Sequence, residues 1–294
     1  MSESNKRNFI VHGSILAIAG ILVRIIGMLY RIPVVNIIGS EGNGIYGAAF
    51  NIYNIMLVLS SYGLPMAVSK LVSARFTKRR YKSAAKVLRC SLMVAVCTGG
   101  IAALLVFFGA SFIENVIYGG GLPGLAIPLR ILAPTIFLVA ILGVIRGFFQ
   151  GQSTMIPTAV SQILEQIVNA IVSIAAGYGM MKAFASSPDV AAYGAAGSTL
   201  GTAMGALTAV LFMGFLYAVY TPTFNRLKRK DRHTENQSTG QICKIIIYTM
   251  IPIILGQTFY QISALIDDVM FSNIMVGRDI TKSISMDLGN FSSS

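Results

Sequence analysis

Residues 21–62, ILVRIIGMLYRIPVVNIIGSEGNGIYGAAFNIYNIMLVLSSY, decide the fold class of this chain. The run is apolar for far longer than the about 20 residues a helix needs to cross a hydrocarbon core at ~1.5 Å per residue. Arg24 and Arg31 stand inside it. Seven positions is nearly two helical turns, so both guanidinium groups leave one face, roughly 10 Å apart along the axis. An arginine near the membrane centre costs at least ~2.5 to 3.5 kcal/mol on insertion scales, so such residues face a bundle interior or a water-filled cavity. The pair reads as a cationic wall, and the planar guanidinium fork suits phosphate or carboxylate oxygens. The competing reading is that Arg31, just before Pro33, snorkels to the interface. Arg24 has farther to go, because apolar residues flank it from Ile15 to Tyr30 with only Gly20 and Gly27 between them. Pro33 lacks a backbone donor and is expected to bend or end this first helix. Gly13, Gly20 and Gly27 form a small-residue stripe for packing a neighbour.

Composition extends this reading to the whole chain. Of 294 residues 54% are hydrophobic and only 12% charged, and the mean hydropathy of +0.70 belongs to a polytopic membrane protein. A net charge of +12 would elsewhere suggest nucleic acid. Here the cations concentrate between apolar segments, as the positive-inside rule requires, so no nucleic-acid partner is expected. Cys90, Cys97 and Cys243 lack paired spacing, and His12 and His233 are too scattered for a metal site, so neither a disulfide framework, a metal nor a cofactor is expected. The N-terminal segment lacks a small-x-small cleavage signal and is expected to be retained.

Seven apolar segments follow one another, at about 9–35, 45–72, 87–112, 125–149, 157–181, 193–220 and 242–270. Basic residues precede the first (Lys6, Arg7), separate the second from the third (Arg75, Lys78, Arg79, Arg80, Lys82, Lys86) and separate the sixth from the seventh (Arg226, Lys228, Arg229, Lys230, Arg232). The alternate connections carry Glu41, Glu114 and Asp189. This asymmetry predicts a multi-pass protein of the cell membrane with its N-terminus in the cytoplasm. The basic loop ARFTKRRYKSAAK is also suited to anionic membrane lipids. YGGGLPG lacks the Lys-Ser/Thr of a phosphate-binding loop, and GQSTM lacks the closing glycine of a nucleophile elbow.

The fifth segment repeats the lesson of the first. Gln162, Glu165, Gln166 and Asn169 fall at i, i+3, i+4 and i+7, a polar stripe down one face of an apolar helix. That face is expected to line an interior, with Arg146 as the partner of Glu165. The alternative is that these groups only join helices through hydrogen bonds. Asn51 and Asn54 add polar groups to the second segment, whereas the GxxxGxxxG run Gly197, Gly201, Gly205 predicts close packing and no ligand role.

The blocks RIIGMLYRIPVVNIIGSEGNGIYGAAFNIYNIMLVLSSYGLPMAVSKLV and LRILAPTIFLVAILGVIRGFFQGQSTMIPTAVSQILEQIVN resemble the polysaccharide-biosynthesis and stage V sporulation protein B branch of the multidrug/oligosaccharidyl-lipid/polysaccharide (MOP) exporter superfamily. The resemblance implies an all-α, MATE-like polytopic bundle: an N-terminal six-helix lobe facing a second lobe across a central cavity. It implies a flippase that moves a polyprenyl-pyrophosphate-linked glycan or peptidoglycan precursor across the cytoplasmic membrane by alternating access, and not an enzyme. Carried onto this chain, it implies substrate-binding roles for Arg24, Arg31, Arg146, Gln150, Gln162, Glu165 and Gln166, to which the polar pattern adds Asn51 and Asn54. The chain departs from the family at Asn169, where members often have a basic residue, and near Leu57, where related lipid II flippases carry arginine.

On this reading residues 1–225 form the N-terminal lobe, 226–241 a basic cytoplasmic linker, and 242–294 the first helix of a second lobe with a polar tail. Such a chain is expected to be a fragment or truncated form that needs a second lobe or a second copy to complete a cavity. Three alternatives stand beside the flippase. They are a cation-coupled small-molecule exporter with Glu165 as coupling carboxylate, an enzyme acting on the same lipids, and a non-transporting remnant. The arginines disfavour the first, and the short outer connections disfavour the second.

Overall fold

Gly39 folds the first helix back on itself. In the computed structural model, which describes residues 3–232 and 237–276 (residues 3–13 as helix without side-chain detail), α1 (Glu3–Ser60) is helical on both sides of Gly39, whose φ of 70° and ψ of 179° lie outside helical space. Glycine takes that conformation without the Cβ clash other residues meet. As a result Tyr46 returns to within hydrogen-bonding reach of Tyr30. The break therefore falls at Gly39 and not at Pro33. Proline costs one backbone donor but keeps a helical φ, so the helix runs through it.

The second crossing is completed by α2 (Leu64–Thr77), which follows a short turn at residues 61–63. Ser60 donates to the Met56 carbonyl at 2.7 Å and Pro65 opens α2, so the apolar segment read as 45–72 is two helices in series. Then come α3 (Tyr81–Phe112), ending in a π-helical turn at Ile113–Ile117, and α4 (Ala126–Gly151), α5 (Ile156–Ala183), α6 (Val190–Lys230) and α7 (Thr239–Val276). Among the described residues, six helical stretches are long and apolar enough to cross a membrane, the first being the folded Ser14–Thr77 unit. The described regular structure is all helical.

The ends of the bundle differ in charge. Asp231 accepts from the Lys82 main-chain N–H at 2.8 Å, and Arg75 donates to Gln237 Oε1 at 2.8 Å, which joins the two basic connections at one end. At the other end Glu114 accepts from the N–H groups of Gly124 (3.1 Å) and Ala126 (2.7 Å), satisfying donors at the start of α4. α7 runs between these ends. Its residues Ile242, Ile246 and Met250 join the buried core of the basic half, while Asn273 donates to the Ile117 carbonyl at 2.9 Å near the acidic end. The segment read as opening a second lobe thus packs on α1, α2 and α3 of the first. Residues 233–236 of the linker, with His233, and the tail from 277 lie outside the described residues.

Two glycine stripes set the helix rotations. On α6, a Cβ at Gly201 would stand 2.5 Å from the Asn169 carbonyl oxygen, and one at Gly205 would stand 2.6 Å from that of Glu165. On α4, Gly147 and Gly151 meet the Pro65 and Ser69 carbonyl oxygens of α2 at 2.6 and 2.8 Å in the same sense. Only glycine permits these backbone approaches, the means by which membrane helices gain dispersion contact where lipid offers no hydrophobic gain. Gly201→Leu should therefore lower thermal stability in detergent by the equivalent of about 1–3 kcal/mol or more. Gly214→Leu, at a site with no atom within 4 Å of a new Cβ, should leave it nearly unchanged. Equal effects of the two replacements would remove the packing role of the α6 stripe.

Candidate functional site

The α6 glycines hold α5 with Ser161, Asn169, Ser173 and Gly177 inward and Val160, Ile167, Ile171 and Tyr178 outward. Gln162, Glu165 and Gln166 lie half-buried on the flank between these faces. The four-residue spacing of the buried positions is that of one helix face. The polar stripe read from the sequence is therefore turned into the body, and each of its deeper members has a partner.

Arg146, on α4, donates through Nη2 to Glu165 Oε2 at 2.7 Å and through Nε to Ser161 Oγ at 2.9 Å. Ser161 in turn donates to the Thr158 carbonyl at 2.8 Å. Only 14% of the Arg146 side chain and 26% of the Glu165 side chain are exposed, so water screens the pair little. Arg146 is aimed at α5 because Gly143, Gly147 and Gly151 occupy the α2-facing side of α4. Tyr53, on the returning half of α1, lies within electrostatic reach of Glu165.

The next residue of α5, Gln166, crosses to α1. Its Nε2 lies 3.2 Å from the position of a Cβ on Gly27, so the glycine leaves room for the amide. Asn169 donates to the Tyr30 hydroxyl at 3.3 Å and accepts from Ser173 Oγ at 2.9 Å, and Ser173 also approaches the Ser198 carbonyl of α6 at 2.8 Å. Hydrogen bonds thus tie α1, α5 and α6 at the same level.

Arg24 and Arg31 precede and follow Gly27 by three and four residues, so they share its side of α1 and flank the Gln166 contact. Both are exposed on this body, as are Ile21, Leu22, Ile25, Met28, Leu29 and Ile32 around them. Arg31 is within electrostatic reach of Tyr46. The expected interior wall is thus an outer flank of the described body, beside the polar seam. Gln150 and Gln162 are half-buried near the ends of α4 and α5. Asn51 donates to Asp268 of α7, and Asn54 is half-buried one turn further along α1. Among the described residues no group of His, Cys, Asp and Glu could hold a metal ion.

Sequence reasoning missed Tyr30, Tyr53, Ser161 and Ser173 as members of this network. Tyrosine and serine in apolar helices are ordinary, and only the fold-back at Gly39 brings the tyrosines to α5. The α4 glycines were legible, because residues 143, 147 and 151 repeat the four-residue spacing of the α6 stripe.

In fold the bundle is similar to solved transporters of the MOP superfamily, one of them from Pyrococcus furiosus with a TM-score of 0.64 at 16% identity over 94% of this chain and 62% of that one. The structure of a MATE protein in complex with MaD3S superposes with a TM-score of 0.65 at 18% identity, covering 94% of this chain and 63% of that one, a likeness of fold. The polysaccharide biosynthesis protein family matches residues 10–293, and the chain belongs to that family. Its relatives in Bacillus subtilis (strain 168) include the lipid II flippase MurJ, 34% identical over 58% of this chain, and stage V sporulation protein B, 30% identical over 71%. The matches span 32% and 39% of the lengths of those two relatives. The chain is accordingly a multi-pass membrane protein of a family whose members include a flippase.

Removing one member of the Arg146–Glu165 pair leaves the other partly buried and unpaired, which costs more than losing both. Arg146→Met and Glu165→Leu should each destabilise the chain, and the double variant should be less destabilised than their sum by about 1–3 kcal/mol. A double-mutant cycle of thermal unfolding in detergent measures this coupling. Strict additivity would mean that the contact holds no net energy.

Proposed function

We propose that the chain supplies the N-terminal lobe, residues 1–225, of a flippase for a polyprenyl-pyrophosphate-linked glycan or peptidoglycan precursor. The observation that carries this reading is the charge balance of the seam. Glu165 is already paired with Arg146, and the guanidinium groups of Arg24 and Arg31 lie exposed on the adjoining flank of α1. A cation-coupled exporter would need a carboxylate free to take up its ion, whereas a pyrophosphate ester matches two guanidinium forks. The name of one relative, a lipid II flippase, supports the same substrate class. Exposure of the two arginines on this body suits a cavity closed by a second lobe or a second copy. Gln150, Gln162, Gln166 and Asn54 are then polar lining for the glycan or for water, and alternating access follows from movement of one lobe against the other.

The topology proposed with this function puts the N-terminus and the basic end in the cytoplasm. In a background lacking Cys90, Cys97 and Cys243, Lys78→Cys should react with an impermeant maleimide only when the cytoplasmic face is open. Asn115→Cys should react from outside. Labelling of both from one side would reverse or refute this orientation.

Binding of a polyprenyl pyrophosphate in nanodiscs, by this chain joined to the second lobe or copy that closes its cavity, tests the substrate class. Arg24→Ala and Arg31→Ala should each weaken it about tenfold or more, as expected for losing a charge-assisted hydrogen bond of at least ~1.5 kcal/mol. Arg24→Lys should rescue poorly, because it supplies charge without the fork. An uncharged polyprenol should bind weakly to all variants. Unchanged affinity in both alanine variants would confine the arginines to structure or topology.

A further inference from the structure

We propose that a cavity at the basic end, remote from the α1–α5 seam, holds the phosphate headgroup of an anionic membrane phospholipid. The cavity, of about 480 Å³, is formed where the start of α3, the end of α6 and the start of α7 converge. Lys82, Lys86 and Arg89 of α3 and Lys228 of α6 supply its cations. Among the described residues, Lys86, Arg89 and Lys228 form no ion pair with a carboxylate. Lys86 donates instead to the Gln237 carbonyl, and Lys228 lies 5.2 Å above the Phe224 ring. Two elements thus direct positive charge into one space, the arrangement that attracts a phosphate.

What separates a lipid from a free phosphate is the continuation of the same helix face. Lys82, Lys86, Arg89 and Met93 follow at i, i+4, i+7 and i+11, so Met93 lies on the face of the cations and also lines the cavity. Beyond it Val96 and Leu104 are exposed, 47% and 58%, and no charged residue intervenes from Leu92 to Ile113. The face changes from cationic to apolar within about three turns, the order in which a phospholipid presents headgroup and acyl chain. A soluble phosphate would use the first half of this face and leave the second without purpose. The site lies on the outside of α3 and does not require the flippase reading.

Native mass spectrometry of the full chain tests the proposal, with phosphatidylglycerol and phosphatidylcholine of identical acyl chains added in equal amounts. Phosphatidylglycerol should be retained selectively. Lys86→Gln/Arg89→Gln/Lys228→Gln should reduce that retention about tenfold or more, while Lys182→Gln, a cation near the end of α5, should not. Excess inorganic phosphate should compete poorly. Equal retention of the two lipids, unchanged retention in the triple variant, or full displacement by inorganic phosphate would each overturn the proposal. A photoreactive phosphatidylglycerol on the unaltered chain provides a readout independent of the variants' folding. Its label should fall on residues 82–104, and labelling confined to other helices would likewise overturn the assignment.

Discussion

The backbone contact between α5 and α6 is the constraint on which the rest depends. Gly197, Gly201 and Gly205 let α6 lie against the carbonyl oxygens of α5, and a side chain at any of them would push the helices apart. Close contact fixes rotation as well as distance, because a helix held by its backbone along one stripe cannot turn without losing that stripe. Once α5 is fixed, Asn169 and Ser173 point at α6 and α1, and Glu165 points at α4. The glycines carry no chemistry, yet they decide which polar groups meet.

Charge inside the bundle follows the same logic. A carboxylate half-removed from water on an apolar helix needs a partner, and Arg146 can serve because the α4 glycines press that helix on α2. The bidirectional hold of Arg146 on Glu165 and Ser161 uses two of its donors in one plane, which lysine could not reproduce. Arg24 and Arg31 lie instead on the exposed outer flank of α1. In the proposed function these two guanidinium groups favour an anion over a cation, and they stand only three and four residues from the glycine that admits Gln166.

Much of this was legible in the sequence. The stripe Gln162, Glu165, Gln166, Asn169 specified both the face and its direction, because a polar face on an apolar helix has nowhere else to go. Burial cost called for Glu165 to be protonated or paired, and Arg146, at the end of the preceding segment, was the candidate partner. What periodicity could not show was the path of the chain around it. Pro33 looked like the break, yet Gly39 is, since a reversal needs a positive φ more than a missing donor. Periodicity also put Arg24 and Arg31 on one face without saying what that face meets, and they lie on the outer flank of the described body. Nor could periodicity show that Asn51, polar and within a membrane segment, meets Asp268 of α7.

The central claim is that the polar flank of α5 faces an aqueous path while its other flank faces lipid. Cysteine scanning of α5 in intact membranes tests it, in a background lacking the three native cysteines, with a water-soluble maleimide. Gln162→Cys and Gln166→Cys should react, and Ile167→Cys and Ile171→Cys, at positions that are exposed on this body but lie on its apolar side, should not. Reaction at 167 and 171 with none at 162 and 166 would contradict the account.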